Sequence, residues 1–156
     1  MKLRGAVAIV LLAITFVTVP VAHATSTRAD YIAQADPICL STGLAEGNQL
    51  SGFSMDLKKG RLKVAARKLR AASTIFGRGV DQLALLERPP ADVSQLSTWI
   101  DSLRAQVPIL NRFARSINHR QAKRVRRTGA QLLIAEEKTS ALVDDYGFAL
   151  CNRFGV

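Results

Sequence analysis

Apolar residues recur along this chain at steps of three and four, and the pattern predicts helices throughout. The clearest stripe is Leu96, Trp99/Ile100, Leu103, Val107, Leu110, Ala114 and Ile117, giving a helix over about residues 94–117. Pro108 lies inside it and is expected to kink it, because proline removes a backbone donor and crowds the preceding turn. A longer helix is expected over about 54–87, with Leu57, Leu62, Ala65/Ala66, Leu69, Ala72/Ser73, Phe76, Val80, Leu83 and Leu86 facing inward. Ser54 would cap its start and Pro89-Pro90 would enforce its stop. A first helix over about 27–46 would bury Tyr31, Ile32, Ala35, Ile38/Cys39 and Leu44, with Pro37 kinking or restarting it and Asp36 as a cap. A last helix over about 120–146 would turn Ala122, Val125, Gly129, Leu132/Leu133, Thr139, Leu142/Val143 and Tyr146 inward, and Gly147 would end it. No run alternates in the manner of a strand. Four amphipathic helices with short connections predict an all-α fold, an antiparallel four-helix bundle in which the first and last helices are neighbours.

The first 24 residues break this pattern. Lys2 and Arg4 precede an almost unbroken apolar run from Ala6 to Val17, and Pro20 and Ala22-His23-Ala24 follow. A positive start, an apolar middle and a small-x-small ending predict a signal peptide cleaved after Ala24. The rival reading is an uncleaved membrane anchor, since no charge occurs from Gly5 to Thr27. Thr25, rather than a cysteine, follows the small residues, which disfavours a lipoprotein. Residues 25–156 then form one domain, secreted or extracytoplasmic, with no further run long enough to span a membrane.

Export changes the reading of the two cysteines, Cys39 and Cys151. An even count in an oxidising compartment favours a disulfide over two buried thiols. Closing a loop of about 110 residues would contribute roughly 4–5 kcal/mol by chain entropy. Placed on the bundle, the bridge staples the first helix to the segment after the last.

Two end segments carry a resemblance. Tyr31-Ile32-Ala33-Gln34-Ala35-Asp36-Pro37-Ile38-Cys39 and Tyr146-Gly147-Phe148-Ala149-Leu150-Cys151 resemble the ends of small exported helical proteins of actinobacteria, which pair an aromatic-x-x-Gln-Ala…Cys start with a Tyr-Gly-Phe-x-x-Cys finish. The resemblance implies export, a bundle and the disulfide. It transfers no active-site residue.

Charge is the remaining signal. The chain holds 22 Lys+Arg against 12 Asp+Glu; Lys2 and Arg4 fall in the leader, so residues 25–156 carry 20 against 12, net +8. The cations cluster. Lys58, Lys59, Arg61, Lys63, Arg67, Lys68 and Arg70 crowd the start of the long helix, and Arg120, Lys123, Arg124, Arg126 and Arg127 crowd the start of the last. Positive charge opposes the helix dipole there, so an anion would relieve it. Arg120, Lys123, Arg124 and Arg127 are expected on one helical face, and with Lys58, Lys59 and Arg61 they are the candidate anion-binding residues. The partner would be an anionic envelope polymer, lipid headgroups or an acidic protein. The alternative is the solvated face of a basic protein. Nucleic acid is disfavoured, because no aromatic residue interleaves the 120–127 cluster.

Catalytic and metal chemistry find little support. His119 is the one imidazole after the leader and has no nucleophile or orienting carboxylate near it in sequence. Glu136-Glu137 and Asp144-Asp145 read as surface charge, and no zinc, phosphate-loop or EF-hand pattern occurs. The expectation is therefore a non-enzymatic binding or structural module with no cofactor and no metal. Its rival from another class is a carrier of a small apolar ligand. A cavity lined by Leu69, Phe76, Leu103 and Leu110 would favour the carrier, and a filled core the surface module.

Overall fold

The chain enters its first helix through a capping box. Thr27 accepts the Asp30 amide through its hydroxyl, and the Asp30 carboxylate accepts the Thr27 amide at 3.0 Å. The computed structural model describes residues 26–153; the expected leader, its cleavage after Ala24 and the rival anchor reading lie outside them. Helix α1 (Arg28–Gln49) runs unbroken past Pro37. Asp36 is thus not a cap of its own helix, since an interior position offers it no free amide. Its carboxylate instead accepts the backbone N–H groups of Ala149, Leu150 and Cys151, each at 3.0 Å.

The long second helix expected from the sequence is two helices. Helix α2 (Phe53–Lys58) ends where Gly60 takes φ +70°. There Arg61 N–H reaches the Asp56 carbonyl at 2.8 Å and Gly60 N–H the Leu57 carbonyl at 3.0 Å, the paired closure of a Schellman motif. Ser54 consequently lies inside α2, whose N-cap position is held by Gly52, and α3 (Leu62–Leu85) starts afresh. Helix α4 (Val93–Asn118) runs through Pro108 without ending. Helix α5 (Ala122–Ala141) begins after Arg120 and stops short of Tyr146. Gly147, at φ +101°, turns the chain as expected, and a single 3-10 turn, Cys151–Arg153, follows.

These elements pack as an all-helical, four-helix fold in chain order: α1 on α3, α3 on α4, α4 on α5, with α2 against α3. The buried stripes set antiparallel directions, since the start of α3 (Ala65, Ala66, Leu69) meets the end of α4 (Ala114, Ile117). The first and last long helices do not pack as a pair. The segment after α5 crosses to α1 instead, and the Cys39–Cys151 disulfide, joining residues 112 apart with Cα atoms at 5.2 Å, fixes it there. Between α1 and α5 an open trough is left, floored by α3 and α4.

Burial divides into two cores. The larger gathers Tyr31, Phe76, Trp99, Tyr146 and Phe148 with Leu83, Leu96, Ile100 and Leu103 around the disulfide. Phe148 stacks on Trp99 and on Tyr146 with ring centres 5.1 and 4.8 Å apart. Beside it, Arg28 donates to both Asp92 oxygens at 3.0 and 2.6 Å, and the Tyr146 hydroxyl donates to Asp92 at 2.9 Å. The hydrogen bonds from Arg28, then that from Tyr146, hold the Asp92 carboxyl below the usual carboxylate range despite its burial. The smaller core holds only Ala65, Ala66, Leu69, Ala114 and Ile117, with Phe53, Leu57, Phe113 and Val125 half-buried against it. Several expected inward residues are exposed, among them Leu44 (61%) and Leu133 (67%).

Candidate anion-binding cleft

The thin core lies at the end of the bundle where the basic clusters fall. Helix α4 stops there in a second Schellman motif: Arg120 N–H meets the Ile117 carbonyl at 3.0 Å and Gln121 N–H the Ser116 carbonyl at 2.9 Å. Arg120 takes the left-handed position at φ +56° that glycine ordinarily fills. It therefore belongs to the α4 terminus rather than to α5, which corrects the expectation that it shares a face with Lys123, Arg124 and Arg127. Arg120 instead joins Arg126 at a depression walled by Leu57, Leu62, Ile117 and Val125.

Two faces then meet across the α4–α5 turn. Arg112, Arg115, Ser116 and His119 on α4 oppose Arg124, Arg127 and Thr128 on α5 around a cleft of about 560 Å³. No carboxylate lines it. Among the described residues, none of these four arginines forms an ion pair. The hydroxyls of Ser116 and Thr128 donate to their own helix, to the Arg112 and Arg124 carbonyls at 2.9 and 2.8 Å. One weak contact, from Arg124 to the Gln121 side chain at 3.3 Å, is the sole polar engagement of a guanidinium there among the described residues. Lys123 is exposed and sits at a shallower depression shared with Arg124 and Arg127.

The first basic cluster fares differently. Asp56, buried beneath it, lies 2.5 Å from Arg61 and 2.8 Å from Lys68. Hydrogen bonding to Lys68, then to Arg61, keeps its carboxyl below the usual range. Arg61 is thus already neutralised, whereas Lys58 and Lys59 at the end of α2 stay exposed. Gly60 lines the same depression as Arg120 and Arg126, so both clusters share one end of the molecule. The first turns of α3 and α5 hold no acidic residue, and neither helix has a side-chain cap. A set of guanidinium groups without ion pairs therefore presents positive potential at one end.

Sequence reasoning missed Arg112 and Arg115. Their signal was the polar face of α4, where residues 112, 115, 116 and 119 follow helical spacing beside the apolar stripe. Glu136 also departs from the surface role expected for it, being half-buried while Glu137, Asp144 and Asp145 are exposed. Guanidinium groups converging from two helices can hold phosphate, sulfate or carboxylate oxygens by paired N–H donors. Comparison with protein-family models, curated proteins and solved structures finds no match to this chain.

Proposed function

We propose that this protein is an extracytoplasmic, non-enzymatic binding module of the cell envelope that attaches to an anionic surface through its basic end. One observation carries the reading: Arg112, Arg115, Arg124 and Arg127 converge on one cleft without a carboxylate among them. Like charges held together without a counter-charge repel one another, and a bound anion relieves that repulsion. Phosphate-bearing envelope polymers and phospholipid headgroups fit this chemistry, as does an acidic protein. The disulfide supports an oxidising location, and among the described residues no helix is long and apolar enough to cross a membrane. The leader-like first 24 residues and the resemblance of the two cysteine-bearing ends to small exported actinobacterial proteins support export.

The test is retention on phosphatidylglycerol vesicles and on isolated cell walls. Replacing Arg112, Arg115, Arg124 and Arg127 by Gln should reduce retention at low salt by at least about tenfold. Replacing Arg78, Arg88, Arg104 and Lys138, an equal charge change away from the basic end, should reduce it far less. Wild-type retention should fade towards roughly 0.5 M salt, where exposed charges are screened beyond roughly 4 Å. Equal losses in both variants, or no retention at low salt, would leave only a basic, solvated protein.

A second reading, carriage of a small apolar ligand, draws on the trough between α1 and α5. Leu69, Phe76 and Leu110 line it, whereas Leu103 is packed into the filled aromatic core.

A further inference from the structure

The trough holds the one arrangement of acidic groups that the basic character of the chain does not lead one to expect. Its floor is Leu69, Ala72 and Phe76 of α3 and Leu110 of α4, and its walls are α1 and α5. From α1 comes Glu46, from α5 Glu136, and these two carboxyls are the titratable groups of the lining. Neither carboxyl has a hydrogen bond or an ion pair among the described residues. Burial pushes Glu46 up to about 7 and moves Glu136 in the same direction. Each carboxylate thus loses hydration without gaining a partner, an arrangement that disfavours its own charged state. On a chain where 20 cations are available after the leader, none is placed here.

The α1 wall carries an independent sign. Gly43 and Gly47 both face the trough, and a methyl group at either would meet no atom within 4 Å. Glycine inside a helix costs about 1 kcal/mol relative to alanine, so the packing of this chain gives no reason for either. What they do is keep the wall low and the trough open. Elsewhere on the two wall helices, Leu40, Leu44 and Leu133 are exposed by 47, 61 and 67%. The trough offers about 250 Å³, which at interior packing density accommodates on the order of ten non-hydrogen atoms.

We propose that the trough between α1 and α5 binds a small amphiphilic amine, its apolar body on the half-buried Leu50, Leu110 and Leu132 above the buried floor and its ammonium group at Glu46 and Glu136. An alkylammonium ion matches both halves of the lining. Its chain displaces water from the leucines, and its charge supplies the partner the carboxylates lack. An alkyl alcohol of equal length offers only the first, and an alkyl carboxylate adds a repelling charge.

The probe is n-octylammonium, titrated into the protein at pH 8 by calorimetry, with octanol and octanoate as comparators. Saturable binding is expected, at least about tenfold tighter than octanol, with octanoate weaker still. Glu46→Gln/Glu136→Gln should lose about tenfold or more. Lowering the wild type to pH 5 should weaken it likewise, because Glu46 then takes up its proton; the double variant should be indifferent to that change. Gly47→Leu should fill the trough and abolish binding while the helical circular dichroism is kept. Retention on anionic vesicles should be unchanged in all these variants, which separates failure here from failure of the basic-end reading. Octanol binding as tightly as the amine, full binding by either variant, or no saturable binding in the wild type would overturn the proposal.

Discussion

The two ends of this bundle are built on opposite principles. At one, five aromatic rings, a disulfide and the Arg28–Asp92–Tyr146 cluster bury nearly every group they involve. At the other, alanines, Leu69 and Ile117 make a thin core beneath arginines that have no counter-charge. The contrast teaches where stability is generated and where it is used. Large rings buried at the stapled end contribute several times the apolar area of alanines. That surplus lets the far end carry mutual repulsion and a strained Arg120 without unfolding.

The most severe test removes the staple. Cys39→Ser/Cys151→Ser should lower Tm by about 10 °C, corresponding to about 2–4 kcal/mol. Amide exchange should then accelerate first in residues 142–151 and the facing turns of α1, leaving α3 and α4 near Ala65 and Ile117 much as before. Equal loss of protection at both ends would mean that the ends form one cooperative unit, and the comparison would fail. Unreduced, denatured wild-type protein should show no free thiol.

Acid gives the intermediate test, because each end is held by one aspartate with a lowered pKa. Such a carboxyl ionises more readily in the folded chain, so its stabilisation is present above about pH 4 and lost as pH falls through the lowered value. Asp92→Ala should therefore lower Tm by several degrees at pH 7 and by progressively less as pH falls below about 4. Asp56→Ala should show the same pH dependence with a smaller amplitude, since it orphans no buried hydroxyl such as that of Tyr146. A larger effect at Asp56 would reverse the ranking of the two ends.

The smallest effect belongs to Arg120→Gly. Relief of the left-handed backbone should raise stability by about 0.5–1 kcal/mol, a rise in Tm of about 2–4 °C. Vesicle retention should hold nearly constant, because Arg120 is outside the cleft formed by Arg112, Arg115, Arg124 and Arg127.

How much of this was legible in the sequence depended on range. Trp99, Leu103 and Ile117 declare their burial through local periodicity, and the cysteine count with a leader-like start suffices to place the bridge. The break at Gly60 left a trace that the helical reading passed over: the stripe steps by five from Leu57 to Leu62, with Gly60 in the gap. The roles of Asp36 and Asp92 were not. Their partners lie 113 to 115 and 54 to 64 residues away, and nothing near them in the chain announces such contacts. For the basic end, the α5 cations were visible as a run. Their meeting with Arg112 and Arg115 follows only from how α5 folds back on α4. The unpaired trough had no sequence signal beyond two helical glycines, since Glu46 and Glu136 come from helices that never pack together.

The three amides held by Asp36 bear on how the chain matures. Asp36 stands one helical turn before Cys39, and one of the amides it accepts belongs to Cys151 itself. Once α1 exists, that carboxylate acts as a template that delivers one thiol to the other. With only two cysteines in the sequence, a single intramolecular pairing exists, so an isomerase has nothing to correct. The competing product is a covalent dimer of two chains, whose formation is second order in protein. Yield in oxidative refolding is then governed by dilution and by the integrity of Asp36, rather than by the reshuffling capacity of the redox buffer.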